Sequence, residues 1–150
     1  MPHWLYTDIG NRIGSLGFLV PRLVMGVAFV LHGWPKIQAP LEWMGPDAPV
    51  PGILQALAAI AEFGGGFALI LGLLTRVASL GIGAVMVAAI GMVHVPQGDP
   101  FVNPGGPSYE LAAVYLTCSL LFVLMGPGHF SLDAMFFGTS REKKRRASEE

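Results

Sequence analysis

The chain has 150 residues, of which 53% are hydrophobic and only 13% charged, and its formal net charge is -1. Soluble domains carry roughly 25% charged residues, so this balance, with a mean hydropathy of +0.58, points to the bilayer and excludes a separate soluble catalytic domain at this length. Lys and Arg are unevenly spread, with Arg141, Lys143, Lys144, Arg145 and Arg146 crowded at the end; beside a hydrophobic helix such a run sets topology and meets anionic lipid rather than nucleic acid.

Residues 1–15 lack the basic start, unbroken apolar run and small-residue cleavage site of a secretory signal. Trp4, Leu5, Ile9, Ile13 and Leu16 recur at helical spacing opposite Thr7, Asp8, Asn11 and Arg12, which predicts a short amphipathic helix in the headgroup region, with Trp4 and Tyr6 at aromatic-belt depth.

The first predicted span covers residues 16–34. A start near Val20 puts Pro21 in the first turn and lets Arg22 snorkel, whereas a start near Leu16 makes Pro21 a kink and carries Arg22 deeper. His32-Gly-Trp34-Pro35-Lys36 closes the span, with Pro35 expected to help terminate it. A proline-rich loop bearing Glu42 and Asp47 then leads to the second span, residues 52–74. That span is long enough to cross a ~30 Å hydrocarbon layer but holds Glu62 near its middle. Lipid cannot solvate a carboxylate, so Glu62 is expected to face other helices, partnered by Arg22 or His32. Small residues at Gly64, Ala68 and Gly72, with Gly65 and Ala61 beside them, predict close helix packing.

Thr75-Arg76 is so short a link that the second and third spans must be antiparallel neighbours. The third span, residues 77–95, ends at His94 with Pro96 expected to stop it, and a Pro/Gly-rich loop fills residues 96–108. Ser108 is placed to cap the fourth span, residues 109–126, with Glu110 in its first turn, where a carboxylate suits the helix dipole. After Gly126-Pro-Gly128, Ser131-Leu-Asp133 opens a second short interfacial helix ending near Phe137, and residues 138–150 form a charged tail. The chain is thus expected to be an all-α, up-and-down four-helix membrane bundle with interfacial helices at both termini. Eight of the nine basic residues then share the side of the termini, with Lys36 alone opposite, which places both termini in the cytoplasm.

His32, Lys36, His94 and Glu110 all fall at the other side, with Glu62 ~15 Å below that surface. Their bland explanation is that helix ends meet water. Glu62 reads either as a structural pair with Arg22 or as a proton carrier in a binding site. The functional reading puts His32, Lys36, Glu62 and Glu110 around one cavity beneath the loops at 38–51 and 96–108, with His94 at its rim and Glu62 and His32 carrying protons. No His-x-x-x-His or Glu-x-x-His pair puts two metal ligands on one helix face, so no metal is expected. The lone Cys118 offers no internal disulfide, and Met25, Met86, Met92 and Met125 follow no motif beyond core filling.

Taken in order, Arg22-x-x-x-Gly26, His32-Gly-x-x-Lys36, the stretch from Glu62 through Gly72 to Thr75-Arg76, and Gly126-Pro-Gly-x-x-Ser131-Leu-Asp133 resemble the DoxX family of small four-span bacterial membrane proteins. The similarity spans residues 16–136. It implies a plasma-membrane bundle linked to redox metabolism, since related proteins include the quinone-reducing membrane subunit of a thiosulfate:quinone oxidoreductase and others described as partners of redox enzymes. Three roles follow: a redox-linked subunit binding quinone between helices, a non-catalytic anchor whose basic tail docks a soluble redox enzyme, and a small-solute or proton transporter, the last disfavoured by the lack of an internal repeat or broken-helix pair. The bilayer is the expected partner in each case, and a homo-oligomer stays open.

Overall fold

A computed structural model describes residues 12–137, and among them all regular structure is helical. The amphipathic segment expected at residues 1–15 therefore lies mostly outside the described residues, as does the charged tail at 138–150. Four longer helices follow in order, α1 (Arg12–Gln38), α2 (Gly52–Leu71), α3 (Thr75–Gln97) and α4 (Glu110–Met125), with a short α5 (Leu132–Phe137) closing the chain. The first three are long and apolar enough to cross a membrane, whereas α4, equally apolar, has 16 residues.

Helix α1 is longer than its prolines predict. Both Pro21 and Pro35 lie inside it. A proline removes only its own N–H bond and is tolerated in apolar helices packed against neighbours, so the expected end at Trp34 is overturned and the helix continues one more turn. That turn puts Lys36 on the side facing α2, which matters for the site below.

Helix α2 lies against α1 at near-backbone distance. A side chain at Gly66 would meet the Val30 nitrogen at 2.6 Å and the Gly26 carbonyl at 2.8 Å, so only paired glycines permit the approach. The ridge predicted from Gly64 is not the packing one, since Gly64 faces open space while Gly65 meets Ile82 of α3 and Gly66 meets α1.

The α2–α3 turn depends on Gly72, whose φ of 65° closes α2 in the left-handed conformation. Helix α3 begins at Thr75 and runs past the expected stop. Its turn at Ile90–His94 is a π turn, and Pro96 sits just beyond it. The proline has no N–H to return to the Met92 carbonyl, and the wider turn lets the helix continue to Gln97.

Helix α4 packs on α3, with Gly83 against Ser119. The expected cap by Ser108 is not made: the residue preceding α4 is Tyr109, and no side chain caps it. Between α1 and α4 the helices meet through rings, Phe29 on Tyr115 at 4.9 Å and Phe18 on Phe122 at 6.5 Å between centroids. Met25, Phe29, Leu69, Ile82, Met86 and Phe122 form the core. The outward faces carry large apolar side chains, with Leu31 at 68% and Leu124 at 71% exposed, as expected where lipid replaces water.

Ser131 opens α5 as expected, its Oγ accepting from the Ala134 N–H at 3.1 Å and donating to the Gly128 carbonyl at 2.8 Å. Asp133 then reaches back to α3, its two carboxylate oxygens accepting from the N–H groups of Leu74 at 2.6 Å and Thr75 at 2.8 Å. A carboxylate from one helix thus caps another.

Candidate functional site

Glu62 is fully buried on α2 and faces the bundle. Its partner is Lys36 of α1, with Nζ 2.7 Å from Oε1, and the pairing exists because α1 runs on past Pro35. Lys36 also lies 4.4 Å from the ring centroid of Trp43, so its ammonium sits between an aromatic face and a carboxylate. The second carboxylate oxygen, Oε2, is buried with no hydrogen-bond partner. An unmet acceptor on a buried charge is costly, on the order of 1–3 kcal/mol, and invites a donor.

The expected pair between Arg22 and Glu62 is not formed. Arg22 lies against Gly72, ten residues and ~15 Å along α2 from Glu62, and donates through Nη1 to the Pro127 carbonyl at 2.6 Å and through Nη2 to that of Phe130. The backbone carbonyls of the 126–130 turn give it the geometry that sequence reasoning assigned to a carboxylate. Nor does Arg22 snorkel, being fully buried.

Beside the Lys36–Glu62 pair is a cavity of about 750 Å³ bounded by all four long helices and by the 39–51 loop. Its walls are apolar apart from a few groups at one end, the usual composition of a small-molecule site. His32, Lys36, Glu62 and His94 line it, whereas Glu110 does not: it is exposed at the start of α4, so its expected place in the pocket is corrected. The helix period explains this, since Ala112 and Tyr115 face inward and Glu110 does not share their side. His94 is tied to the following loop, its Nδ1 2.8 Å from Asp99 Oδ2. Among the described residues no three His, Cys, Asp or Glu side chains gather where a metal ion could be held.

Three contributors were not foreseen. Tyr115 of α4 lines the cavity with its ring centroid 6.4 Å from that of His32. Trp43 covers Lys36. Gln55 ties down the loop that carries Trp43: its Oε1 accepts from the Met44 N–H at 3.0 Å, its Nε2 donates to the Val50 carbonyl at 2.9 Å, and its backbone carbonyl accepts from Trp43 Nε1 at 3.0 Å. The available signal was spacing, since Gln55 and Glu62 stand seven residues apart in an otherwise apolar helix and therefore share a face.

A polar-ended apolar cavity inside a bundle of membrane-length helices defines a membrane protein that is helical throughout its described residues, with a candidate internal binding site. The DoxX family description matches residues 17–95, from α1 through the π turn. An uncharacterised protein of Haemophilus influenzae is 34% identical over 123 residues, covering 81% of this chain and 90% of that one. The inner membrane protein YqjF of Escherichia coli is 31% identical over 134 residues, 83% of this chain and 95% of its own. A Bacillus subtilis protein named "putative oxidoreductase CatD" is 26% identical over 130 residues, 85% and 92% of the two chains. No solved structure matches. The chain belongs to the DoxX family.

Proposed function

We propose that this chain is a multi-pass plasma-membrane protein, with α4 completing four spans and both termini cytoplasmic, and that it acts as a redox-linked subunit binding a quinone in the cavity. The observation that carries the reading is the buried Lys36–Glu62 pair beside an apolar cavity, with one carboxylate oxygen left without a donor. Inner membrane placement accords with the name of the Escherichia coli relative, and redox linkage with that of the Bacillus subtilis one.

In this reading Lys36 donates to a ring carbonyl, and the aromatic faces of Phe29 and Tyr115 hold the ring. Reduction takes up two protons with two electrons. Glu62 and His32 are the proton carriers, and the electrons come from a redox protein partner. His94 holds the rim in place rather than touching the ring.

The test is quinone binding by purified protein, with Glu62→Gln and His32→Ala beside the wild type. Affinity for the reduced quinol, whose hydroxyl can donate to the free oxygen of Glu62, should fall about tenfold for Glu62→Gln, the loss of one charge-assisted bond. Unchanged affinity in both variants, or no binding by any of the three, would favour the anchor reading, in which the buried charges serve helix packing alone.

A further inference from the structure

The cavity does not end inside the bundle. Its wall includes Leu57 of α2 and Ala84, Ala88 and Met92 of α3, all of them exposed on the outer surface of the helices. Leu57 is 56% and Met92 48% exposed, so space continuous with the Lys36–Glu62 end reaches the outside between these two helices. The gap has a structural cause. Below it α2 and α3 are held together by the Gly72 turn, by Gly65 against Ile82 and by Gly81, where an added Cβ would lie 3.5 Å from that of Ala61, while above it Ala58, Ala84 and Ala88 place only methyls where larger side chains would meet. On the opposite wall, between α1 and α4, the Phe29 and Tyr115 rings at 4.9 Å narrow the passage, and His32 makes it polar.

We infer that the gap between α2 and α3 is a lateral portal through which the isoprenoid tail of a lipid-dissolved quinone leaves the cavity while its head reaches Lys36 and Glu62. This deepens the reading above and rests on it. The chemistry of the two ends selects the occupant: a buried carboxylate and ammonium inside call for a polar head, and a wall of alanine, leucine and methionine opening at membrane-facing surface calls for a hydrocarbon chain. A water-soluble substrate would find no polar group along that route. Because the portal lies on the side of the helices rather than at their ends, the 39–51 loop can stay pinned by Gln55 during exchange of the ligand.

The experiment uses full-length protein in lipid nanodiscs and two probes with one head group, a decyl-tailed benzoquinone and the same ring carrying a methyl in place of the tail. The double substitution Ala84→Phe with Ala88→Phe fills the gap from outward-facing positions without touching Lys36, Glu62, His32 or Tyr115. The tailed probe should bind about tenfold or more weakly to the variant, with the tail-less probe unchanged, since each methylene that loses contact counts separately. Equal loss for both probes, or loss for neither, overturns the portal and leaves the head-group site standing. Failure of both probes to bind wild-type protein overturns the head-group site and the portal together. A photoreactive group at the tail end provides a readout on unsubstituted protein: labelling of Leu57 or Met92 supports the portal, and labelling confined to α1 and α4 overturns it. Endogenous phospholipid retained in the gap and not displaced by the tailed probe would also overturn it.

Discussion

At the Gly72 end of the bundle, Arg22 and Asp133 are as deeply buried as Glu62 is toward the other, but their surroundings differ. Both terminal nitrogens of Arg22 end on carbonyls of the 126–130 turn, and both oxygens of Asp133 end on the N–H groups that open α3. Arg76 adds a bond from Nη1 to the Val123 carbonyl at 2.7 Å, and Ser15 meets His129 at 3.1 Å. There the charges hold backbone to backbone. At the cavity end one oxygen of Glu62 is spent on Lys36 and the other on nothing protein-borne. A buried charge that finishes the wiring of a turn reads as structural, whereas one left half-satisfied beside a cavity is a candidate for a site. Sequence alone sets Arg22 and Glu62 in apolar spans as a candidate pair and Asp133 at the start of an interfacial helix, and only the partners observed show which charges wire backbone.

The largest effect should come from breaking the wired end. Arg22→Met leaves two buried carbonyls unmet and Asp133 without its nearby cation, and should lower unfolding free energy in detergent by about 3–5 kcal/mol, with quinone affinity per folded molecule unchanged. A parallel drop in affinity would show that the two ends are not separable. Next, Lys36→Met strands Glu62 and should cost about 2 kcal/mol or more. Adding Glu62→Gln should restore most of it, because the double substitution removes the uncompensated charge. A double variant no more stable than Lys36→Met alone would mean that the pair is not what stabilises this end. The smallest effect belongs to Glu110→Gln, within about 0.5 kcal/mol and without effect on ligand binding. A binding defect there would reinstate Glu110 in the pocket.

Much of the fold was legible because lipid imposes one requirement: long apolar runs must close their own hydrogen bonds as helices. The inward orientation of Glu62 followed from the same cause. The partner of Glu62 did not, and the failure can be traced to Pro35. With α1 ended at Trp34, Lys36 belonged to a loop, and Arg22 was the remaining cation on the helix. Arg22 donates instead to carbonyls 105 and 108 residues further along the chain, a pairing that no local pattern announces. Glu110 was assigned by depth alone, but depth fixes only height along a helix and leaves its rotation open. Tyr115, one turn further and on the inward face, was the residue that depth and rotation together would have found.

The π turn at Ile90–His94 sets a counting rule for α3. It holds one residue more than an α turn would, so everything beyond it is offset by ~100° from the phase established at Thr75. Which side chains meet the cavity at Met92, Val93 and His94 is thus decided by the number of residues in that turn as much as by their identity. Substitutions there alter one wall position each. Deleting a single residue such as Gly91 would re-phase the end of the helix, swinging His94 and the Asp99 paired with it away from their place at the cavity rim while leaving the composition of the segment almost untouched. In this segment a one-residue change of length outweighs most changes of kind, the behaviour of a reading frame carried into three dimensions.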